Sequence, residues 1–305
     1  MTATSRLAKA LDGGGPVLTA ECLPPRAGDA AAVKKMAALL PATLDAVVVA
    51  DNPEEVRGSA LASAAILAAE GREPVLSLVT RDRNRIALES EVLGASALGV
   101  QNFLALSGEH QTLGVSPQAA GVFDMDSIQL TLALRRMAED GTDFAGRLLD
   151  APLPLCVGAV AHPYLKPMEL NLLRLRKKVQ AGARFLLTQA VFDLAGFAAW
   201  MDAVRAAGLD RQVAILASVL PLASVPQAKK LQERRTYGPV SDEVVARLSK
   251  ATDPAKEGIA IAAEMASKVK TIGGVRGIHI LSGGNEAGAA RVIEAAGLAP
   301  AAAAR

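Results

Sequence analysis

The stretch Val17-Leu18-Thr19-Ala20-Glu21-Cys22-Leu23-Pro24-Pro25-Arg26 opens with six residues that read as a β-strand and closes on two prolines that stop it. The strand part is apolar except for Thr19 and Glu21. A nearly continuous apolar run suits a parallel strand covered on both faces, because a strand with one wet face alternates apolar and polar residues. Working outward, similar runs return at residues 46–50, 75–80, 102–106, 155–160, 185–188, 213–217 and 277–281. Helical patterns lie between them at residues 29–40, 54–69, 85–93, 126–138, 168–181 and 194–207. A longer helical stretch at 225–270 is broken near Pro239 and Pro254. Eight strands alternating with helices predict an α/β fold, a (β/α)8 TIM barrel in a single domain. An open doubly wound sheet is the alternative. It has fewer strands and a glycine-rich first turn, and Gly13-Gly14-Gly15 precede the first strand instead of following it. The expected organisation is an N-terminal extension at 1–16, the barrel at 17–298 and an Ala-rich tail at 299–305.

Composition narrows the function classes. The 305 residues include 33 Lys+Arg and 31 Asp+Glu, a formal net charge of +2. That balance argues against a nucleic-acid binder, which carries a basic excess. At 51% hydrophobic residues the chain has the apolar content of a folded protein. Aromatics make up only 3%, so a planar cofactor would rest mostly on aliphatic side chains and backbone. Two cysteines, Cys22 and Cys156, exclude a disulfide scaffold and a four-cysteine zinc site, and read as free thiols in a reducing compartment. With no long apolar N-terminal stretch and no membrane span, a cytoplasmic location is expected.

In a (β/α)8 barrel the chemistry sits at the C-terminal ends of the strands. Glu21 ends the first strand; a carboxyl group buried there is paired with an arginine or functional, and burial would raise its pKa and suit it to act as a general acid. The third strand runs into Thr80-Arg81-Asp82-Arg83-Asn84-Arg85. Arg81 and Arg83 could hold phosphates, and Asp82 or Asn84 could cap the next helix. The fourth ends in Ser107-Gly108-Glu109-His110, where Gly108 admits close backbone approach and Glu109 offers two acceptor oxygens to an aminopyrimidine edge. Asp124 or Asp126 could cap the following helix. Thr188-Gln189 ends the sixth strand, and Gln189 can read an amide-bearing heterocycle or satisfy nearby backbone. The basic helix at Arg174-Leu175-Arg176-Lys177-Lys178 has a solvated face or neutralises a diphosphate. Neither a metal-ligand cluster nor a phosphate loop of the G-x-x-x-x-G-K-[ST] type is present in the sequence.

Taken in order, these strand ends resemble the methylenetetrahydrofolate reductase family, in its short, single-barrel branch. The similarity runs over residues 17–298 and is carried by LTAECLPP (18–25), TRDRNR (80–85), VLGASALGVQNFLALSGE (92–109), NLLRLRKKVQAGARFLLTQ (171–189), and Leu220-Pro221 through Lys230. The resemblance implies a flavin-dependent reduction of 5,10-methylenetetrahydrofolate to 5-methyltetrahydrofolate, within one-carbon metabolism and methionine biosynthesis. It implies that Glu21 protonates the folate and that Gln189 and Glu109 bind it. It implies that segments containing Thr80, Arg81, Asp82, Ser107, Gly108, Asp124, Asp126, Ala159, His162, Lys177 and Lys178 touch the flavin. The cofactor expected is FAD, with FMN as the alternative; the electron donor is NADH or a partner subunit, in a homo-oligomer or a larger complex. The chain departs from the family pattern at Glu109, where the family has Asp, at Ser77, where it has His, and at aliphatic positions such as Val225. Two other classes fit the same segments: a pterin-dependent methyltransferase of a corrinoid pathway, and a non-catalytic barrel subunit.

Overall fold

The apolar runs form eight strands in a computed structural model that describes residues 3–114, 116–234 and 238–298. They are β1 (Val17–Cys22), β2 (Ala46–Val49), β3 (Pro74–Val79), β4 (Asn102–Leu106), β5 (Cys156–Ala161), β6 (Phe185–Ala190), β7 (Ala214–Val219) and β8 (Val275–Ile280). Every neighbour pair is parallel and β1 also pairs with β8, so the sheet closes as a barrel in sequence order. The expected tail at 299–305 lies outside the described residues. Among the described residues no helix is long and apolar enough to cross a membrane.

Side-chain alternation sorts each strand into two sets. In β1, Leu18, Ala20 and Cys22 point outward into the layer between sheet and helices, while Val17, Thr19 and Glu21 point into the barrel. The outer layer buries the large aromatics Phe103, Phe197 and Trp200 completely. Phe185 fills the lower barrel interior against Gly158, where a Cβ would overlap its ring.

The eleven described helices are α1 (Arg6–Asp12), α2 (Ala30–Leu39), α3 (Ala60–Ala69), α4 (Arg85–Ala97), α5 (Ser127–Glu139), α6 (Met168–Gln180), α7 (Leu194–Ala206), α8 (Val225–Arg234), α9 (Asp242–Lys250), α10 (Pro254–Val269) and α11 (Glu286–Ala295). Helix α1 falls inside the expected extension and closes the N-terminal end of the barrel. Its Leu7 and Ala8 are fully buried against Val17, Ala46, Val75 and Phe185. Burying a leucine of this kind contributes roughly 1.5–3 kcal/mol. Ser5 caps α1 through Ala8 N–H and ties it to Asn102 at 2.6 Å.

One helical expectation changes and one holds. The run 54–69 becomes helical only from Ala60, because residues before it dock on the end of β1: Gly58 N–H bonds Pro25 O, and Arg57 Nη1 bonds Pro24 O at 3.0 Å. Ser59 then caps α3. The 225–270 stretch breaks near Pro239 and Pro254 as expected, into α8, α9 and α10, the last two starting at caps Ser241 and Asp253.

Candidate active site

The C-terminal strand ends enclose a cavity of about 560 Å³. A second lobe of about 340 Å³ continues toward α5 and α6, and the two share Ser107, Ser127, Val160, Ala161, His162 and Lys178. These volumes match small-molecule and cofactor pockets. Val48, Val79, Leu104, Leu106, Val160 and Leu187 supply the apolar walls. No described lining residue of either lobe is Phe, Tyr or Trp.

Glu21 enters the cavity from the end of β1. No arginine pairs with it among the described residues. Instead its Oε2 accepts three hydrogen bonds from the β8–α11 loop: Ser282 N–H at 3.0 Å, Gly283 N–H at 3.0 Å and the Ser282 hydroxyl at 3.3 Å. Gly283 and Gly284 have φ of +55° and +85°, which lets the loop fold back onto the strand end. Burial pushes the Glu21 carboxyl above its ordinary value, the backbone and hydroxyl donors pull it down, and nearby Glu286 pushes it up; the net is upward. Among the described residues no donor reaches Oε1, which leaves that oxygen to carry a proton into the cavity.

On the β3–β4 side the arginines are committed within the protein. Arg81 lines the cavity, but it bonds Asp82 Oδ1 at 2.8 Å, Asp82 Oδ2 at 2.7 Å and Asn52 O at 3.0 Å. Arg83 grips Asp51 at 2.6 Å and Glu91 at 2.6 Å and lies outside both lobes. Both arginines tie the ends of β2, β3 and α4 together; of the two expected phosphate holders, Arg81 faces the cavity and Arg83 does not. Asn84, not Asp82, caps α4. Thr80 is fully buried and lies outside the lining, as does Asp82. Gly108 (φ +79°) and Glu109 line the cavity; a Cβ on Gly108 would press on Val79 at 2.6 Å. His110 is exposed, bonded to Thr112 and stacked on Phe123.

The opposite wall is built by β5, β6 and α6. Register shifts between Leu187 and Ala190, and this irregularity puts both Thr188 and Gln189 on the cavity. Gln189 hydrogen-bonds His162, which opens onto both lobes. Burial, then Lys178 and Arg174, lower the His162 imidazole to about 4, so it is neutral at pH 7. Lys178, 8% exposed, bonds Val160 O at 2.6 Å. Burial and Arg174 lower it to about 8, against the pull of Asp126. No carboxylate of the described residues pairs with it, so the shared floor of the two lobes holds an uncompensated cation.

The structure does not bring every expected residue here. Lys177 is exposed on the far face of α6. Ala159 points outward into the sheet–helix layer. Asp124 pairs with Arg85 at 2.9 Å away from the lobes, while Asp126 lines the smaller lobe and caps α5 with a reciprocal Gln129 bond. Ser107 Oγ accepts the Ser127 N–H at 3.0 Å and joins the end of β4 to α5. Ser77 lies on the cavity floor.

Other residues went unsingled in the sequence. Asp51, 3% exposed, lines the cavity and holds Val79 N–H at 3.1 Å; as the second residue after β2 it satisfies the strand-end rule. His279 lies within β8, 2% exposed, 2.9 Å from the Thr19 hydroxyl, and burial lowers it to about 3. Ser282 and Glu286 carry no local signal at all.

Residues 6–297 match the family model described as methylenetetrahydrofolate reductase. The 5,10-methylenetetrahydrofolate reductase of Escherichia coli (strain K12) is 28% identical over 135 residues, 44% of this chain and 39% of that enzyme. The enzyme of the same name from Pectobacterium carotovorum subsp. carotovorum is 24% identical over 215 residues, 69% of this chain and 65% of its own. In both matches the chain spans less than two thirds of the relative's length. A Clostridium thermocellum protein that binds two copies of 5-methyl-5,6,7,8-tetrahydrofolic acid shares the fold, with a TM-score of 0.66 at 14% identity over 95% of this chain and 98% of that one. A closed eight-strand barrel, and a family match running from α1 to the end of α11, place this chain in the methylenetetrahydrofolate reductase family.

Proposed function

We propose that the chain reduces 5,10-methylenetetrahydrofolate to 5-methyltetrahydrofolate with a bound flavin, FAD by preference, reduced by NADH or by a partner protein. The observation that carries this reading is the Glu21 carboxyl, raised by burial and held through Oε2 alone, so that Oε1 can offer a proton inside the cavity.

The residues present fit a flavin. The aliphatic walls accept a flat ring, and the buried, unpaired Lys178 ammonium beside Arg174 fits an anionic group such as a phosphate. Ser107, Asp126, His162 and Lys178 would hold it. When bound, a reduced flavin supplies the hydride. Glu21 gives its proton to the folate nitrogen whose release opens the five-membered ring, leaving a reactive iminium. Gln189 orients the pterin with one donor and one acceptor, and Glu109 accepts from its amino edge. Neutral His162 leaves the proton on Glu21. The aliphatic walls exclude water from the reacting carbon. The family membership and the folate bound by a protein of the same fold support folate as the substrate.

The test is a cofactor and turnover assay. The protein, reconstituted with FAD, is expected to show a flavin absorbance band that bleaches on anaerobic reduction and returns on adding methylenetetrahydrofolate. Protein that takes up no flavin and forms no methyltetrahydrofolate overturns the proposal. Folate binding without flavin would favour methyl transfer instead.

A further inference from the structure

The wall behind Glu21 holds a second carboxylate for which the proposed reaction has no task. Glu286, the first residue of α11, is 4% exposed. Its Oε1 accepts the Leu23 N–H at 3.1 Å and lies 3.3 Å from the Ser282 hydroxyl. The same hydroxyl lies 3.3 Å from Glu21 Oε2 and accepts the Gly284 N–H at 3.1 Å. A serine hydroxyl has one proton and donates to one acid at a time. The Gly284 bond holds the oxygen, so the proton is free to rotate between the two carboxyl groups. Each acid keeps its backbone donors in either rotamer: Ser282 and Gly283 for Glu21, Leu23 for Glu286.

We infer that Glu286 is a positioning residue for Glu21, acting through a Ser282 hydroxyl that turns to Glu286 while Glu21 holds its proton and to Glu21 Oε2 once that proton has left. The inference rests on the proposed role of Glu21 as the acid. In the step, the Glu21 O–H bond breaks and an N–H bond forms on the folate. The Ser282 proton stays on its own oxygen and only changes acceptor. Before transfer, the charge of Glu286 disfavours a second anion beside it and keeps Glu21 protonated. After transfer, the rotated hydroxyl steadies the new carboxylate. The upward pull of Glu286 on Glu21, opposed by Ser282, agrees with this division.

Other charged groups near Glu21 are neutral or already paired. Cys22, next on β1, stays a thiol, pushed to about 12 by burial, Glu286 and Glu21. His279 on β8 is neutral, lowered to about 3. Arg57, which reaches Pro24 O from the β2–α3 loop, is paired with Glu55, and Asp51 beyond β2 is paired with Arg83.

The experiment is a ¹³C NMR titration of the Glu21 carboxyl in cofactor-free protein labelled at glutamate and assigned with Glu21→Gln. In Glu286→Gln the amide oxygen can still accept from Leu23, but the charge is gone. The Glu21 midpoint is expected to fall by about one pH unit, the scale of a removed like charge. In Ser282→Ala the midpoint is expected to rise, because the ionised form loses a donor. Ser282→Thr, which keeps the hydroxyl, should titrate like the wild type. A midpoint unchanged or raised in Glu286→Gln overturns the inference, as does one unchanged or lowered in Ser282→Ala. If circular dichroism shows Glu286→Gln unfolded, the Ser282→Ala and Ser282→Thr pair decides: equal midpoints overturn it. The titration uses neither flavin nor folate. Opposite shifts in a protein that never reduces methylenetetrahydrofolate would refute the proposed function and leave the coupling standing.

Discussion

Strands β1 and β5 stand four places apart in the closed barrel, on opposite sides of one cavity, and they treat buried charge in opposite ways. The β1 wall presents an acid. Burial raises Glu21, and three donors gather on one of its oxygens. The β5 wall presents a base and a cation. The same desolvation lowers His162 to about 4 and leaves Lys178 near 8, so at pH 7 the imidazole is neutral while the ammonium largely persists. One physical cause thus yields a wall that can give a proton and a wall that attracts an anion. In the proposed reaction the first wall would serve proton transfer and the second would meet the charge of the cofactor.

Removing the acid should break this comparison most severely. Glu21→Gln is expected to lower the rate of methylenetetrahydrofolate reduction by about 10²–10⁴-fold, the usual contribution of a general acid. Flavin affinity and melting temperature should stay near wild type, read by stopped-flow absorbance and calorimetry. Equal losses of flavin affinity and rate would mean that the β1 wall is not a separate proton site.

The next effect lies on the β5 side. Lys178→Met keeps the aliphatic stem and removes the charge. Flavin affinity is expected to drop about tenfold to hundredfold, on the scale of one charge-assisted bond. Wild-type affinity should weaken as pH rises through about 8, where the ammonium loses its proton, and the variant should lose that dependence. Fluorescence titration of the flavin between pH 6 and 9 on the ordinary pH scale measures both.

Two buried groups on the β8–β1 side also predict opposite pH effects on stability. His279 is lowered from 6.5 to about 3, so its contribution is fully present above the unfolded value and is lost as pH falls through the folded one. Glu21 is raised, so its contribution is present below the ordinary carboxyl value of 4.5 and is lost as pH rises through the folded value. Replacing His279 with Gln should therefore flatten the acid side of the stability curve. The wild type is expected to lose about 3 kcal/mol more than the variant between neutral pH and pH 4. Urea unfolding at the two pH values gives that difference, and equal losses would sink the assignment of a buried neutral imidazole.

The smallest effect separates two adjacent lysines. Lys177→Ala removes an exposed side chain on the outer face of α6, and is expected to change stability by less than about 0.5 kcal/mol. Flavin affinity should change less than twofold. A loss approaching that of Lys178→Met would show that the helix face has been misassigned.

Much of this was legible in the residues. The apolar runs marked all eight strands, since a strand covered on both faces must be apolar throughout. Searching their C-terminal ends found Glu21, Ser107, Glu109 and Gln189. Other features had no such signal. The basic run RLRKK groups Lys177 with Lys178, and only the folded helix, which buries Asn171, Leu175 and Lys178, separates them. Arg81 and Arg83 look alike in TRDRNR, yet only Arg81 reaches the cavity, and both are held by acids or carbonyls from other loops. Helix α1 is too short to stand out as more than a polar leader, and its meaning lies in the barrel end that it fills.

By itself, then, the sequence determined the barrel, the acid at the end of β1 and the family, because those follow from local apolar pattern and from ordered motifs. The tertiary structure alone decided the charge state of each site residue and the partners that hold it. Glu21 and the Ser282 that binds it are 261 positions apart, and Glu286 lies beyond both. Desolvation and hydrogen bonding depend on which groups the closed sheet brings together, and that proximity is not written in the neighbourhood of any one residue.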